Sequence, residues 1–387
     1  MANLKVLMMG GRRCGKTSAL ASLFDQMKNT PDIYKLLTVA DKTILETKID
    51  ATGKEEKQEP LNNKKLELQN FLKKYNPNDF LVDKGPTNNY WLYNMQISLA
   101  GTNKTMNMEF RDAAGEFFDY GGAHSNQTMQ YVKDCDVFVV IVDTPYLMCD
   151  DDAIVCAANV TDSIHTFLSS IDENGEGSVE PKFILFVPIK CEKWIHEGKI
   201  NEVNERIHQI YAPTINHLKN RENTEIAIIP IQTAGSIDYS EMRDSYIVVT
   251  SDGKAKKCSK VTDRTVVLEN GEMYSIKSDE ILNEDPEGVF RFDDDTLDFK
   301  RPSLWFHHNS KDPKYAPKNC EQIALHILRF MLNKARRNQS NNRIVQFFRS
   351  IFGAITLNDL NNTIVELTGR GLIKDAGEGI ERIKIYS

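Results

Sequence analysis

The sequence predicts an α/β fold with a mostly parallel sheet, and three observations carry that reading. Four short apolar runs, Leu4–Met9 (LKVLMM), 137–142 (VFVVIV), 183–189 (FILFVPI) and 226–231 (IAIIPI), lack polar alternation. Strands buried on both faces read this way. Stretches with helical spacing separate the runs, and alternation of strand with helix marks an α/β chain. A further pair, Tyr90–Leu99 and 105–112, does alternate polar with apolar and is joined by the turn AGTNK. It reads as a hairpin that adds one antiparallel strand.

Taken in order, the first strand leads through GGRRCGKTS into a helix whose Leu20, Leu23, Phe24 and Met27 fall at i, i+3, i+4 and i+7. Residues 38–84 are mostly charged and polar and read as an insertion. Leu68, Phe71, Leu72 and Tyr75 give that insertion one amphipathic helix. Residues 151–171 and 200–218 read as helices. Residues 245–299 read as a small β-rich insertion, because two apolar runs each turn at a D-G or N-G pair into a second run. A helix starts near Pro317, with Asn319 as its cap, Gln322 three residues on, and Ile323, Ile327 and Met331 facing the core. The tail offers a short aromatic helix (QFFRSIF) and a helix-then-hairpin pattern. The expected organisation is one domain over residues 1–338 carrying the two insertions, followed by a C-terminal α/β extension of a helix and a hairpin over 339–387.

The chain has 387 residues, 41% hydrophobic and 27% charged, enough for an ordinary core. A net charge of −7 argues against a nucleic-acid partner. Seven cysteines form no C-x-x-C pair, which favours a reduced, cytoplasmic protein over a thiolate metal site. No secretory signal and no apolar run of membrane-spanning length are read, so the expectation is a soluble intracellular protein without a membrane partner.

Four segments carry chemistry. Gly10, four residues, Gly15, Lys16 and Thr17 have the spacing of a phosphate-binding loop, and the required strand and helix flank them. Lys16 would reach the β- and γ-phosphates and the Thr17 hydroxyl would bind Mg²⁺. Gly10, Gly11, Arg13, Cys14, Gly15 and Ser18 would complete the cradle. In FRDAAGEFF, Asp112 and Gly115 stand at D-x-x-G spacing. The aspartate would hold Mg²⁺ through water and the Gly115 N–H would sense a γ-phosphate. In FVPIKCEKW, residues 189–192 stand where guanine-binding proteins carry N-K-x-D. Lys190 keeps the lysine, Glu192 replaces the aspartate, and Ile189 replaces the asparagine. In PIQTAG, Thr233 and Ala234 follow the last strand, where a loop amide touches the guanine oxygen.

These four segments in this order resemble the small GTPases of the translation-factor-related (TRAFAC) class. They are most similar to the divergent bacterial GTPases of the double-GTPase or Sar-like group, through GGRRCGKTS, RDAAGE, PIKCEKW and YAPKNCEQIALHIL. The resemblance spans residues 4–333 apart from the two insertions. It implies a Ras-like P-loop sheet with Mg²⁺ and GTP or GDP at its C-terminal edge, and the guanine preference rests largely on it. It also implies Thr87 as the switch threonine on the metal, although Thr38, Thr43 and Thr52 are alternatives.

The chain departs from the pattern at two points. Glu116 stands where a glutamine would orient the attacking water; it could orient water too, but its charge opposes the γ-phosphate. Arg12 and Arg13 either supply transition-state charge in cis or pair with the acidic insertion. The implied function is a slow Mg²⁺-dependent GTPase switch, with a protein partner reached through residues 38–84 and the loop after Gly115. A pseudo-GTPase scaffold and an ATP-using NTPase are the competing readings. Elsewhere, His307-His308 reads as a surface or core pair, and the Asp150–Asp152 acids favour a helix start. Lys334, Arg336, Arg337, Arg343 and Arg349 read as a solvated helix face.

Overall fold

The computed structural model describes residues 4–11, 14–39, 46–49, 55–58, 65–66, 69, 90–99, 105–113, 115–118, 125–172, 182–243, 246–249, 255–262, 265–268, 273–275, 281–282, 290–291, 303–310, 313–337 and 356–385. The chain forms two units. The first takes Met1–Leu66, Pro86–Thr233 and Pro317–Ser387; the second takes Glu67–Gly85 and Ala234–Ala316.

The first unit is built on a ten-stranded sheet. In chain order its strands are β1 (Leu4–Met9), β2 (Leu37–Val39), β3 (Glu46–Ile49), β4 (Glu55–Gln58), β5 (Tyr90–Leu99), β6 (Thr105–Ala113), β7 (Val137–Asp143), β8 (Lys182–Ile189), β9 (Thr224–Ile228) and, after the second unit's strands, β18 (Glu381–Lys384). The sheet order is β18-β9-β8-β7-β1-β6-β5-β3-β4, with β2 also pairing to β5. The strands β6, β1, β7, β8 and β9 run parallel, as their apolar sequences require.

The sequence announces a single antiparallel hairpin strand, but antiparallel ladders also join β2 and β3 to β5, β4 to β3, and β18 to β9. These outlying strands are short and, in ETKI, EEKQ and ERIK, charged, with EEKQ and ERIK at the sheet's two edges. Charge protects a sheet edge from further pairing and hides the strand from an apolar-run criterion.

Helices cover both faces. On one face α1 (Lys16–Asn29), α10 (Glu321–Arg337) and α11 (Leu357–Gly369) pack on alternate strand residues such as Val6, Met8, Val139, Ile141 and Leu185. Phe183 stacks on Phe330 at 5.1 Å, and Phe24 meets Phe110 edge-on at 6.0 Å. The remaining helices are α2 (Pro31–Tyr34), α3 (Ser125–Asp134), α4 (Thr144–Leu147), α5 (Asp152–Asn159), α6 (Thr161–Ser169), α7 (Glu192–His196), α8 (Ile200–Ile210) and α9 (Ala212–Lys219). Phe186, on the opposite side of β8 from Phe183 and Leu185, lies 5.0 Å from Tyr211. Asp151 caps α5 by accepting from the Ala153 and Ile154 amides. The helix expected over 151–171 breaks at Val160, whose φ is +46°, and the one over 200–218 breaks before Pro213.

Two side chains depart from the sequence reading. Lys334 is fully buried and pairs with Asp136 at 3.2 Å, so it is no part of a solvated face. Asn319 precedes α10 at φ +63°, but its Oδ1 accepts from Lys374 rather than capping the helix. The amphipathic helix around Leu68 and the QFFRSIF helix fall outside the described residues. In the tail, α11 carries a capping box between Thr356 and Asp359, and the strand after it pairs with β9.

The second unit contains a three-stranded sheet, β10 (Ile237–Arg243), β17 (Ser303–His308) and β16 (Phe290–Arg291) in spatial order. It also contains a five-stranded antiparallel sheet. Its strands are β11 (Tyr246–Val249), β12 (Ala255–Thr262), β13 (Thr265–Leu268), β14 (Met273–Ser275) and β15 (Ile281–Leu282), ordered β14-β13-β12-β11-β15. The β11–β12 and β13–β14 hairpins are the two read from the D-G and N-G turns.

Candidate functional site

The parallel pairing of β1 with β6 and β7 sets the site. Its register places Met8 opposite Asp112 and Met9 opposite Val140, so the loop leaving β1 and the end of β6 emerge side by side. Gly15 begins α1 at φ +103°, and a Cβ there would sit 2.5 Å from Ile189 Cδ1. A side chain at Gly11 would collide with the Ala158 carbonyl oxygen, where α5 ends at the Val160 break. Glycine is needed at Gly11 for close approach to that backbone and at Gly15 for the backbone angle.

Lys16 is 6% exposed, and its ammonium donates to the carbonyls of Gly10 and Gly11 at 3.0 Å each. Its Nζ also lies 5.8 Å from the Phe118 ring centroid, in cation–π range. Thr17 Oγ1 donates to Asp112 Oδ2 at 2.7 Å. Burial pushes the Asp112 carboxyl up, while the Lys16 charge and the Thr17 hydrogen bond pull it down. A carboxylate beside a hydroxyl oxygen suits a hard divalent cation, whose charge would offset the burial penalty. Among the described residues no group of three or more His, Cys, Asp or Glu is placed to hold a metal. A cation at Thr17–Asp112 would therefore draw most of its ligands from phosphate and water.

Gly115 opens a 3₁₀ turn, Gly115–Phe118, and the Phe117 carbonyl accepts from Thr128 of α3 at 2.5 Å. Phe118 packs edge-on against Phe167 at 6.3 Å. The backbone of Glu116 lies in this turn, and its side chain is outside the described set. Arg12, Arg13 and Thr87 lie outside the described residues altogether, as do Thr43 and Thr52; Thr38 pairs with Ser98 in the β2–β5 ladder. Cys14 and Ser18 are buried at the loop and the first turn of α1. Burial pushes the Cys14 thiol up, so it is not a ready nucleophile.

The next strand end holds a second charged pair. Lys190 Nζ donates to Asp143 Oδ2 at 2.6 Å, with side chains 9% and 1% exposed. Lys190 adopts φ +58°, an uncommon backbone for a residue with a side chain and one that clusters at functional sites. The Asp143 amide donates to Asn159 Oδ1 at 2.7 Å, which ties this pair to α5. Cys191 donates to the Pro188 carbonyl at 3.2 Å, and burial pushes its thiol up. Glu192 begins α7 and is 2% exposed. Thr233 accepts from Ser22 Oγ through its carbonyl at 2.9 Å and closes the first unit. Ala234 opens the second unit, where its carbonyl accepts from the Ala316 amide at 2.9 Å.

Lys16, Thr17 and Asp112 are thus brought together, and Lys190 and Glu192 follow the strand next to β7. Sequence reasoning missed Asp143 and Phe118. Asp143 had a signal: it is the lone charge ending an apolar strand. Phe118 had none, because its relation to Lys16 depends on how the turn folds back.

No family model matches the chain, and no curated protein matches it. Among solved structures, the cytosolic domain of FeoB from L. pneumophila is similar at 14% identity and a TM-score of 0.25, over 59% of this chain and 62% of that one. The chain therefore spans about three fifths of the length of that structure. Among the described residues, no helix is long and apolar enough to cross a membrane.

Proposed function

We propose that this chain is a Ras-like P-loop protein that binds a Mg²⁺–guanine nucleotide at the C-terminal ends of β1, β6, β7 and β8 and hydrolyses GTP slowly, as a nucleotide-dependent switch. The observation that carries the proposal is the meeting of Lys16, Thr17 and Asp112, from two segments nearly a hundred residues apart, with Thr17 and Asp112 joined at 2.7 Å. Gly10, Gly11, Arg13, Cys14, Gly15 and Ser18 would line the phosphates, whose charge the N–H groups at the start of α1 favour. Thr17 and Asp112, with Thr87, would hold Mg²⁺, which would supply charge neutralisation of the phosphate oxygens when bound.

In the reaction a water oxygen bonds to the γ-phosphorus in line, and the bridging P–O bond breaks to leave GDP and inorganic phosphate. Lys16 exchanges its carbonyl partners at Gly10 and Gly11 for phosphate oxygens and stabilises the charge that develops. Gly115 reports the γ-phosphate, and Glu116 orients the water. Arg12 and Arg13 add charge in cis. The base is held by Lys190, Glu192 and Thr233; a carboxylate at Glu192 accepts from guanine N1–H and N2–H, which adenine does not offer in that pattern. Turnover in such sites is on the order of 10⁻⁴ to 10⁻² per second without a partner. The partner surface would lie in residues 38–84 and the loop after Gly115.

Lys16→Ala should abolish nucleotide binding and hydrolysis together, and unchanged hydrolysis in that variant would remove the proposal. Arg12→Ala or Arg13→Ala should slow hydrolysis at unchanged affinity; equal rates would remove the arginines from the mechanism. A second reading, a scaffold that binds nucleotide without turning it over, is favoured by the charge of Glu116. It predicts tight binding with no phosphate release.

A further inference from the structure

Gln232 lies just beyond β9, within the first unit, and its side chain is fully buried. Neither its Oε1 nor its Nε2 has a hydrogen-bond partner among the described residues. The backbone, by contrast, is fully engaged. Its N–H donates to the Lys318 carbonyl at 3.0 Å, and its carbonyl accepts from the Lys318 amide at 3.0 Å and from the Cys320 thiol at 3.3 Å. A buried primary amide that makes no hydrogen bond is costly, and a native fold keeps one where a ligand or water completes it.

The surroundings point to the nucleotide base. The residue before it, Ile231, donates to the Pro188 carbonyl at 3.0 Å, so the loop runs beside the segment that presents Lys190 and Glu192. The same Pro188 carbonyl accepts from the thiol of Cys191, the residue before Glu192, at 3.2 Å. Meanwhile Ile189 occupies the position where the N-K-x-D pattern carries an asparagine. Its methyl packs over Gly15, and it offers no donor. The site therefore lacks a side-chain donor where one is expected and holds a buried amide without a partner nearby.

We propose that Gln232 reads the 6-position of the purine: its Nε2 donates to guanine O6 while Glu192 accepts from N1–H and N2–H. This inference rests on the guanine-nucleotide reading above. An amide can also turn its Oε1 to an amino group, so Gln232 alone serves adenine as well; coupled to Glu192 it selects guanine.

The test is Gln232→Leu, with Gln232→Met as the unbranched alternative should leucine disturb folding. Melting temperature without nucleotide and affinity for GDP and 6-thio-GDP are measured on each. The 6-thio analogue keeps N1–H and the 2-amino group but weakens the acceptor at position 6. The wild type should prefer GDP. The variants should melt at the same temperature or higher without ligand, bind GDP about 10- to 100-fold more weakly, and show a smaller preference over 6-thio-GDP. A wild type that binds GDP beside variants of equal affinity and equal preference would overturn this inference and leave the site reading standing. Variants that melt lower with the preference intact would also overturn it, since the amide would then be satisfied by internal water. A folded, nucleotide-free wild type that binds no guanine nucleotide removes the site reading and this inference with it.

Discussion

Asp143→Ala is the perturbation whose magnitude the structure defines best. The Asp143 carboxylate is 1% exposed and accepts from Lys190 Nζ at 2.6 Å; the lysine side chain is 9% exposed. Removing the acid leaves a buried ammonium without its ion partner. Breaking a buried pair from one side costs about 3–5 kcal/mol, far more than the ~0–1 kcal/mol of a surface pair. For a body of this size that is a fall of about 5–10 °C in melting temperature, on the order of 2 °C per kcal/mol. Calorimetry on the ligand-free chain reads it directly. The control is Asp143→Ala combined with Lys190→Met, which removes both charges and should recover the stability to within about 1–2 kcal/mol of wild type. The double variant should still bind nucleotide poorly, because Lys190 belongs to the base site. A single-variant cost under about 1 kcal/mol, or a double variant no more stable than the single, would refute the reasoning that this pair is dry and coupled.

Three further outcomes follow from the same geometry. Burial raises the Asp112 carboxyl, so its charge disfavours the folded state at every pH above the unfolded value near 4. Asp112→Asn should therefore melt higher than wild type at pH 7 without nucleotide, show no gain near pH 3, and lose Mg²⁺-dependent binding; a lower melting temperature at pH 7 would contradict this. Gly11→Ala drives a methyl into the Ala158 carbonyl and should cost about 1–3 kcal/mol and abolish nucleotide binding, whereas Gly198→Ala, which meets nothing within 4 Å, should leave binding intact. Burial holds the His326 ring down to about 3, with Nε2 on the Lys374 carbonyl, so the folded chain keeps it neutral while the unfolded chain protonates below about 6.5. Stability should fall between pH 6.5 and 3 with a contribution of up to about 1.4 kcal/mol per pH unit, and His326→Gln should remove that slope in urea titrations.

The sequence made the central architecture legible because its strands are unbroken apolar runs and its hairpin alternates cleanly. The phosphate-loop spacing, with its strand and helix, was legible for the same local reasons. Whatever depends on pairing was not. That Thr17 meets Asp112 follows from the β1–β6 register, which no local pattern encodes. The outlying strands ETKI, EEKQ and ERIK were hidden by their charges. The break at Val160 carries no glycine or proline to announce it. Lys334 looked solvated because composition cannot show that Asp136 waits beneath it. Gln232, within PIQTAG, carries no local signal, because an amide in a loop gains meaning only through its burial and lack of partners among the described residues.

The most direct test of the central claim is a calorimetric titration of nucleotide-free protein with GDP and with ADP, each with Mg²⁺. The account predicts tight binding of GDP and weak binding of ADP. Preference for ADP would contradict the base assignment to Lys190 and Glu192, and binding of neither by folded protein would contradict the nucleotide site itself.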